Sequence, residues 1–115
     1  MKLEIATLPQ LLRKHAHAIP SRLSQRHKQR GIWREYSFAD VQRNVREIAL
    51  GMHQAGVKAG ETIAIIGENE PQHYWAEYAA HALGCKVVSM YPDLTSEEVA
   101  YLLEDSKAVI LCAQD

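Results

Sequence analysis

Glycine is scarce where it would matter most. Of six glycines in 115 residues, only Gly67 falls in the segment Gly67-Glu68-Asn69-Glu70-Pro71, which follows the most apolar short run of the chain. A phosphate cradle needs several glycines, because backbone N–H groups approach phosphate closely only where no Cβ intervenes. Here Glu68 and Glu70 would repel an anion, and they suit the helix dipole better than a nucleotide. Neither a Walker loop nor a Gly-x-Ser-x-Gly turn occurs. Cysteine is scarce as well. Cys85 and Cys112 both lie in apolar runs, without metal or redox spacing, so both are expected to be buried, reduced thiols. The six histidines do not make good the lack of ligands. His15 and His17 diverge on a helix, and His73 and His81 stand about 12 Å apart along one. No metal site is expected, and no catalytic or cofactor-binding residue stands out.

Long apolar runs are missing too. No segment reaches the roughly 18 apolar residues that a membrane span requires. The opening residues Met1-Lys2-Leu3-Glu4-Ile5 lack the apolar stretch of a secretory signal. A cytoplasmic location is expected. Charge of one sign is also absent, with 13 Lys and Arg against 14 Asp and Glu. A net charge of −1 gives no long-range pull toward nucleic acid. The one dense basic run, Arg26-His27-Lys28-Gln29-Arg30, reads as a solvated turn, with a phosphate contact as the lesser reading.

What is present is alternation. Residues 62–67, Thr-Ile-Ala-Ile-Ile-Gly, form a short β-branched run flanked by Gly60 and Pro71, which reads as a strand buried on both faces. A helical pattern follows, then a run at 86–90, a second helical pattern and a third run at 108–112. Strand–helix–strand–helix–strand predicts two right-handed parallel crossovers. The fold class is therefore α/β: a leading helix, a β-hairpin and a second helix over 1–59, then a βαβαβ parallel-sheet unit over 60–115.

The leading part is punctuated by caps. Thr7 with Gln10 opens a helix that Pro20 stops, and Ser37 with Asp40 opens another. Between them, 21–25 and 32–37 read as hairpin strands, and alternation puts Trp33 and Tyr36 on opposite faces, one buried and one half-exposed. Phe38, Val41, Val45, Ile48, Met52 and Ala55 make one apolar stripe at helical spacing. Asn69 or Glu70 caps the third helix, whose inner face is marked by Trp75, Tyr78, Ala79, Ala82 and Leu83. Thr95-Ser96-Glu97-Glu98 is the clearest capping box.

Five phrases in order resemble the adenylate-forming (AMP-binding) acyl-CoA synthetase family. They are Thr7-Leu8-Pro9-Gln10-Leu11-Leu12; Gly31-Ile32-Trp33-Arg34-Glu35-Tyr36-Ser37-Phe38-Ala39-Asp40-Val41; residues 50–66, through Gly56-Val57-Lys58-Ala59-Gly60-Glu61; Ala82-Leu83-Gly84-Cys85-Lys86-Val87-Val88-Ser89-Met90-Tyr91-Pro92, preceded by 67–71; and residues 97–106. The Gly-Ile-Trp phrase and the Tyr-Pro loop most resemble the long-chain fatty acid–CoA ligase branch. The resemblance implies a two-step reaction. A carboxylate attacks the α-phosphate of ATP with magnesium to give an acyl-adenylate, and coenzyme A thiol then displaces AMP. It implies that these residues are part of a larger N-terminal domain, with the rest of that domain, a C-terminal domain and a fatty acid as partners. Membrane-peripheral association of the full-length enzyme is a further implication. The family's phosphate loop, hinge and late lysine have no counterpart before Asp115, so the chain alone is expected to be inactive, and no catalytic residue carries over.

Only Tyr91, Pro92 and Asp93, at a strand's C-terminal end, are expected near a ligand. Nucleic acid is not an expected partner. Unpaired sheet edges allow self-association. The alternative to a ligase segment is a small stand-alone α/β interaction or regulatory module without catalytic activity.

Overall fold

The structure is a computed structural model and describes residues 7–114. The expectation about the first five residues therefore lies outside the described residues. The elements run α1 (Leu8–Ala18), β1 (Leu23–Gln29), β2 (Ile32–Ser37), α2 (Phe38–Gln54), β3 (Thr62–Ile66), α3 (Pro71–Ala82), β4 (Lys86–Met90), α4 (Ser96–Ser106) and β5 (Ile110–Ala113).

Three of the four helices start at complete capping boxes, which satisfy amide groups that a first turn leaves without partners. Thr7 and Gln10, Ser37 and Asp40, and Thr95 and Glu98 each exchange side-chain and backbone bonds of 2.9–3.3 Å. The third helix starts differently. Glu70 is its N-cap but makes no side-chain cap bond, and Pro71, which has no N–H to satisfy, takes the first position.

The cap of α2 makes stability depend on acid. Bonds from the Ser37 backbone and hydroxyl, then Arg43, hold the Asp40 carboxyl below its ordinary value of 3.8. A depressed carboxylate contributes stability that is present above the ordinary value and lost as pH falls through the depressed one. Asp40→Asn keeps a side-chain oxygen for the Ser37 N–H and loses the charge, and is expected to cost about 0.5 kcal/mol at pH 7, the usual worth of an acid in a helix's first turn. In urea titrations its gap from the parent should close below pH 3.8; a gap that stays constant to pH 2 would refute the linkage.

β1 and β2 pair antiparallel, and the hairpin differs from expectation in one respect. The basic run 26–29 lies inside β1, facing β2 residues 32–35. The turn itself is only Arg30-Gly31, with φ of 51° and 79°. Two residues at positive φ make the tight turn whose twist matches the flanking strands, so the strands run right up to it. Trp33 is 53% exposed and Tyr36 is half-buried, so neither is the buried member that alternation suggested. The hairpin is packed only at its base, and Trp33 lies beyond it.

β3 is the centre of a parallel sheet of order β4-β3-β5. Ile63 pairs with Val87 and Ile110, and Ile65 with Ser89 and Cys112. Ile63, Ala64 and Ile65 are all buried, as expected for a strand covered on both faces. Right-handed crossovers that run in opposite directions from β3 and β4 place α3 and α4 on opposite faces. The face under α3 holds the main core, in which Leu12, Val41 and Val45 pack with Ile63, Ile65 and Trp75. Leader and sheet thus share one core. Ala79 and Ala80 are fully buried there and bring α3 close to the sheet, whereas Ala82, expected inside, is exposed.

The other face is thinner. No residue of α4 is buried, and Val109 and Leu111 on the β5 side are 49% and 41% exposed. β4 and β5 each keep one unpaired edge among the described residues.

Candidate functional site

Chain order sets where a ligand could lie. From β3 the chain passes to β4 on one side, and from β4 back across to β5 on the other. The loop leaving β3 leads to α3 on one face of the sheet and the loop leaving β4 to α4 on the other, and a crevice opens beyond the C-terminal ends of β3 and β5. That crevice has a volume of about 410 Å³ and is bordered by Gly67, Glu68, Glu70, His73, Cys112 and Gln114. Across the loop 67–70 lies a second depression of about 550 Å³, over the ends of β3 and β4, where Asn69, Tyr74, Glu77 and Ser89 meet Tyr91 and Pro92. Gly67, Glu68 and His73 border both.

Tyr91, Pro92 and Asp93 all lie exposed in the loop after β4. Tyr91 and Pro92 line the second depression; Asp93 is outside that lining. His73 is the residue that sequence reasoning passed over. It sits in the first turn of α3, so its side chain reaches back toward the strand ends. Its Nε2 lies 3.2 Å from the Ser89 hydroxyl, and its Nδ1 is buried without a partner. The available signal was its place two residues after Pro71 at the end of a central strand. Gln114 was also missed. Its Oε1 accepts a 2.6 Å bond from the Glu68 N–H and ties the β3 loop to the end of β5. The two groups are 46 residues apart, beyond the reach of local pattern.

The loop does not fit a polyphosphate. The Glu68 amide is taken by Gln114, and the Glu70 amide donates to the Glu68 carbonyl at 2.9 Å. A Cβ at Gly67 would stand 2.9 Å from the Gln114 Oε1, so the loop's one glycine is pressed against a side chain. The Glu70 carboxylate lies 3.9 Å from His27 Nε2 on the hairpin. The Tyr74 hydroxyl donates to the Asn69 side chain at 2.6 Å. Donors are thus spent inside the protein and carboxylates remain, the reverse of an anion cradle.

Nor is a nucleophile activated. Burial pushes the Cys112 thiol up, and burial followed by the Glu61 carboxylate pushes Cys85 up, so both favour the unreactive thiol form. Among the described residues no three His, Cys, Asp or Glu side chains converge as metal ligands would.

The sequence model of the family described as AMP-binding enzyme matches residues 12–115. The chain belongs to that family. Long-chain-fatty-acid–CoA ligase FadD15 of Mycobacterium tuberculosis is 31% identical over 84 residues, 73% of this chain and 14% of that protein. The 2-succinylbenzoate–CoA ligase of Bacillus pumilus is 29% identical over 103 residues, 90% of this chain and 20% of that one. The crystal structure of a fatty acid AMP ligase from Legionella pneumophila superposes with a TM-score of 0.86 at 18% identity, over 93% of this chain and 19% of its own.

The fold of this AMP-binding family member is accordingly that of the N-terminal part of adenylate-forming enzymes. Its relatives are acid–CoA ligases. The chain spans about one-seventh to one-fifth of the length of those two ligases. The expectation drawn from the five phrases is met at the level of the family. The long-chain branch is not singled out, because an aryl-acid ligase matches over more of the chain than the fatty-acid ligase does.

Proposed function

We propose that this chain is the leading part of the N-terminal domain of an ATP-dependent acid–thiol ligase, and that the acid is a long-chain fatty acid. One observation carries the ligase reading: the family match runs from α1 through β5 without a break in order, and the relatives it reaches are CoA ligases. The likeness to FadD15 and the Gly31-Ile32-Trp33 and Tyr91-Pro92 phrases support the fatty acid.

ATP, magnesium and coenzyme A belong to the whole ligase on this reading. The loop 67–70 offers carboxylates and spent donors, so this chain's part is to frame the sheet on which other residues bind the nucleotide. The exposed Val109 and Leu111 and the two open sheet edges fit that role, since further strands and helices of the domain would cover them.

The test is ATP–pyrophosphate exchange by the protein translated from the whole reading frame, offered a long-chain fatty acid and 2-succinylbenzoate in parallel. Exchange is expected with the fatty acid, and none from the 115-residue chain by itself. Preference for the aryl acid would overturn the substrate and keep the ligase. No exchange with any acid would overturn the ligase and return the chain to a binding or regulatory role.

A further inference from the structure

The basic run that reads as a turn is built into a strand, and that changes what it can do. In an antiparallel pair, directly opposed residues share a face. Gln25 and Tyr36 face the body, where both meet Trp75. The next pair, Arg26 and Glu35, must therefore face away, and so does Lys28 with Trp33. Arg26 lies 4.4 Å from the Trp33 ring centroid, and the Lys28 ammonium 5.9 Å. The Arg26 guanidinium is also 3.6 Å from the Glu35 carboxylate.

Residues 28–35 are all exposed, an unbroken stretch around the two-residue turn. Its apex carries Ile32 at 64% and Trp33 at 53% exposure. Between residues 22 and 36 there are five Lys or Arg and one acid, which leaves eight cations and thirteen acids for the rest of the chain. The near-zero total thus hides a strongly basic ribbon on an acidic body.

We infer that the β1–β2 hairpin is a membrane-surface anchor: on its outward face Trp33 enters the interface of a bilayer, and Arg26 and Lys28, with Arg30 at the turn, hold anionic lipid headgroups. Indole prefers the headgroup level, and juxtaposed cations add attraction to anionic lipid. Two features favour a membrane over nucleic acid. One face of the Trp33 ring is already covered by Arg26, which denies it to a stacking base. The outward cations Arg26 and Lys28 also both lie against the Trp33 ring, at 4.4 and 5.9 Å. They flank an amphipathic ring instead of converging on one phosphate. The hairpin carries this inference alone and stands whether or not the ligase reading does.

The test is flotation of the 115-residue chain with phosphatidylcholine vesicles, with and without about 30% phosphatidylserine. Binding is expected only to the anionic vesicles and should weaken as salt rises from 0.1 to 0.5 M. Brominated lipid should quench the fluorescence of Trp33. Each cation near the surface is worth roughly fivefold in partitioning, so Arg26→Gln with Lys28→Gln should lower it about 25-fold. Trp33→Ala, at an exposed position, should abolish the quenching and weaken binding with the circular dichroism unchanged. Equal binding to both vesicles, no binding at 0.1 M salt, or full binding by Trp33→Ala would each overturn the anchor. Binding to an oligonucleotide in place of vesicles would overturn it in favour of a polyanion site.

Discussion

Trp75→Ala should be among the most damaging single changes in this chain, lowering unfolding stability by about 3–5 kcal/mol. Trp75 is nine-tenths buried in the middle of α3. Its ring meets Tyr36 of β2 edge-on at 5.0 Å, and its Nε1 donates to the Gln25 side chain of β1 at 2.8 Å. One side chain therefore fixes both hairpin strands to the helix that follows the central strand. Truncation would remove the ring from the core, leave a cavity and strand the Gln25 carbonyl. On a domain of this size the fall in Tm is on the order of 10–20 °C.

Trp75→Phe separates the parts. It keeps most of the packing and loses the indole donor, for roughly 1 kcal/mol plus a small void. Thermal melts of the two variants decide the matter. A Trp75→Ala loss under about 1 kcal/mol would mean that the hairpin is not held by this contact.

The second large effect is expected at Ile63. It is fully buried at the centre of β3, between Val87 and Ile110 on the neighbouring strands and against the helices of the main core. Ile63→Ala should cost about 2–5 kcal/mol and Ile63→Val about 0.5–1.5. The ordering is the informative part. A parallel strand with neighbours on both sides and a helix above it has no freedom to collapse onto a void, so the upper half of the range is expected for the alanine. Urea titrations with an unchanged slope would assign the loss to the folded state. Equal losses from the two variants would show that the two further carbons removed in the alanine carry no cost, and would overturn the claim that the site cannot collapse. Leu111 on β5 supplies the contrast: it is 41% exposed on the thinner face, and Leu111→Ala should change stability by far less.

Trp75 bears on the membrane inference and Ile63 on the candidate site. The hairpin's aim, set at Trp75, governs which way Trp33 and its cations face. The central strand places the loop 67–70 between the two crevices.

Much of this was legible in the chain as written. Thr7, Ser37 and Thr95 announce their helices because a cap acts over three residues, within one local segment. The run 62–66 announces a strand because length, β-branching and flanking Gly and Pro agree. The order of strands and helices follows from those signals in series, and the family from the resemblance of five phrases along the chain. Boundaries slipped where local pattern is weak. β1 was expected to end at Gln25 and runs to Gln29, because polar residues on a ribbon exposed on one face give no apolar alternation to follow.

The sequence by itself determined the elements, their caps, their order and the absence of a phosphate cradle, since each rests on residues a few positions apart. Only the tertiary structure decided that β3 lies between β4 and β5, and hence that a crevice opens at their ends. Only it joined Gln114 to Glu68, Gln25 to Trp75 and Arg26 to the Trp33 ring. The reason is physical. Contacts between residues far apart in the chain are chosen by which faces can be buried together once the loops close, and loop closure depends only weakly on the residues in the loop.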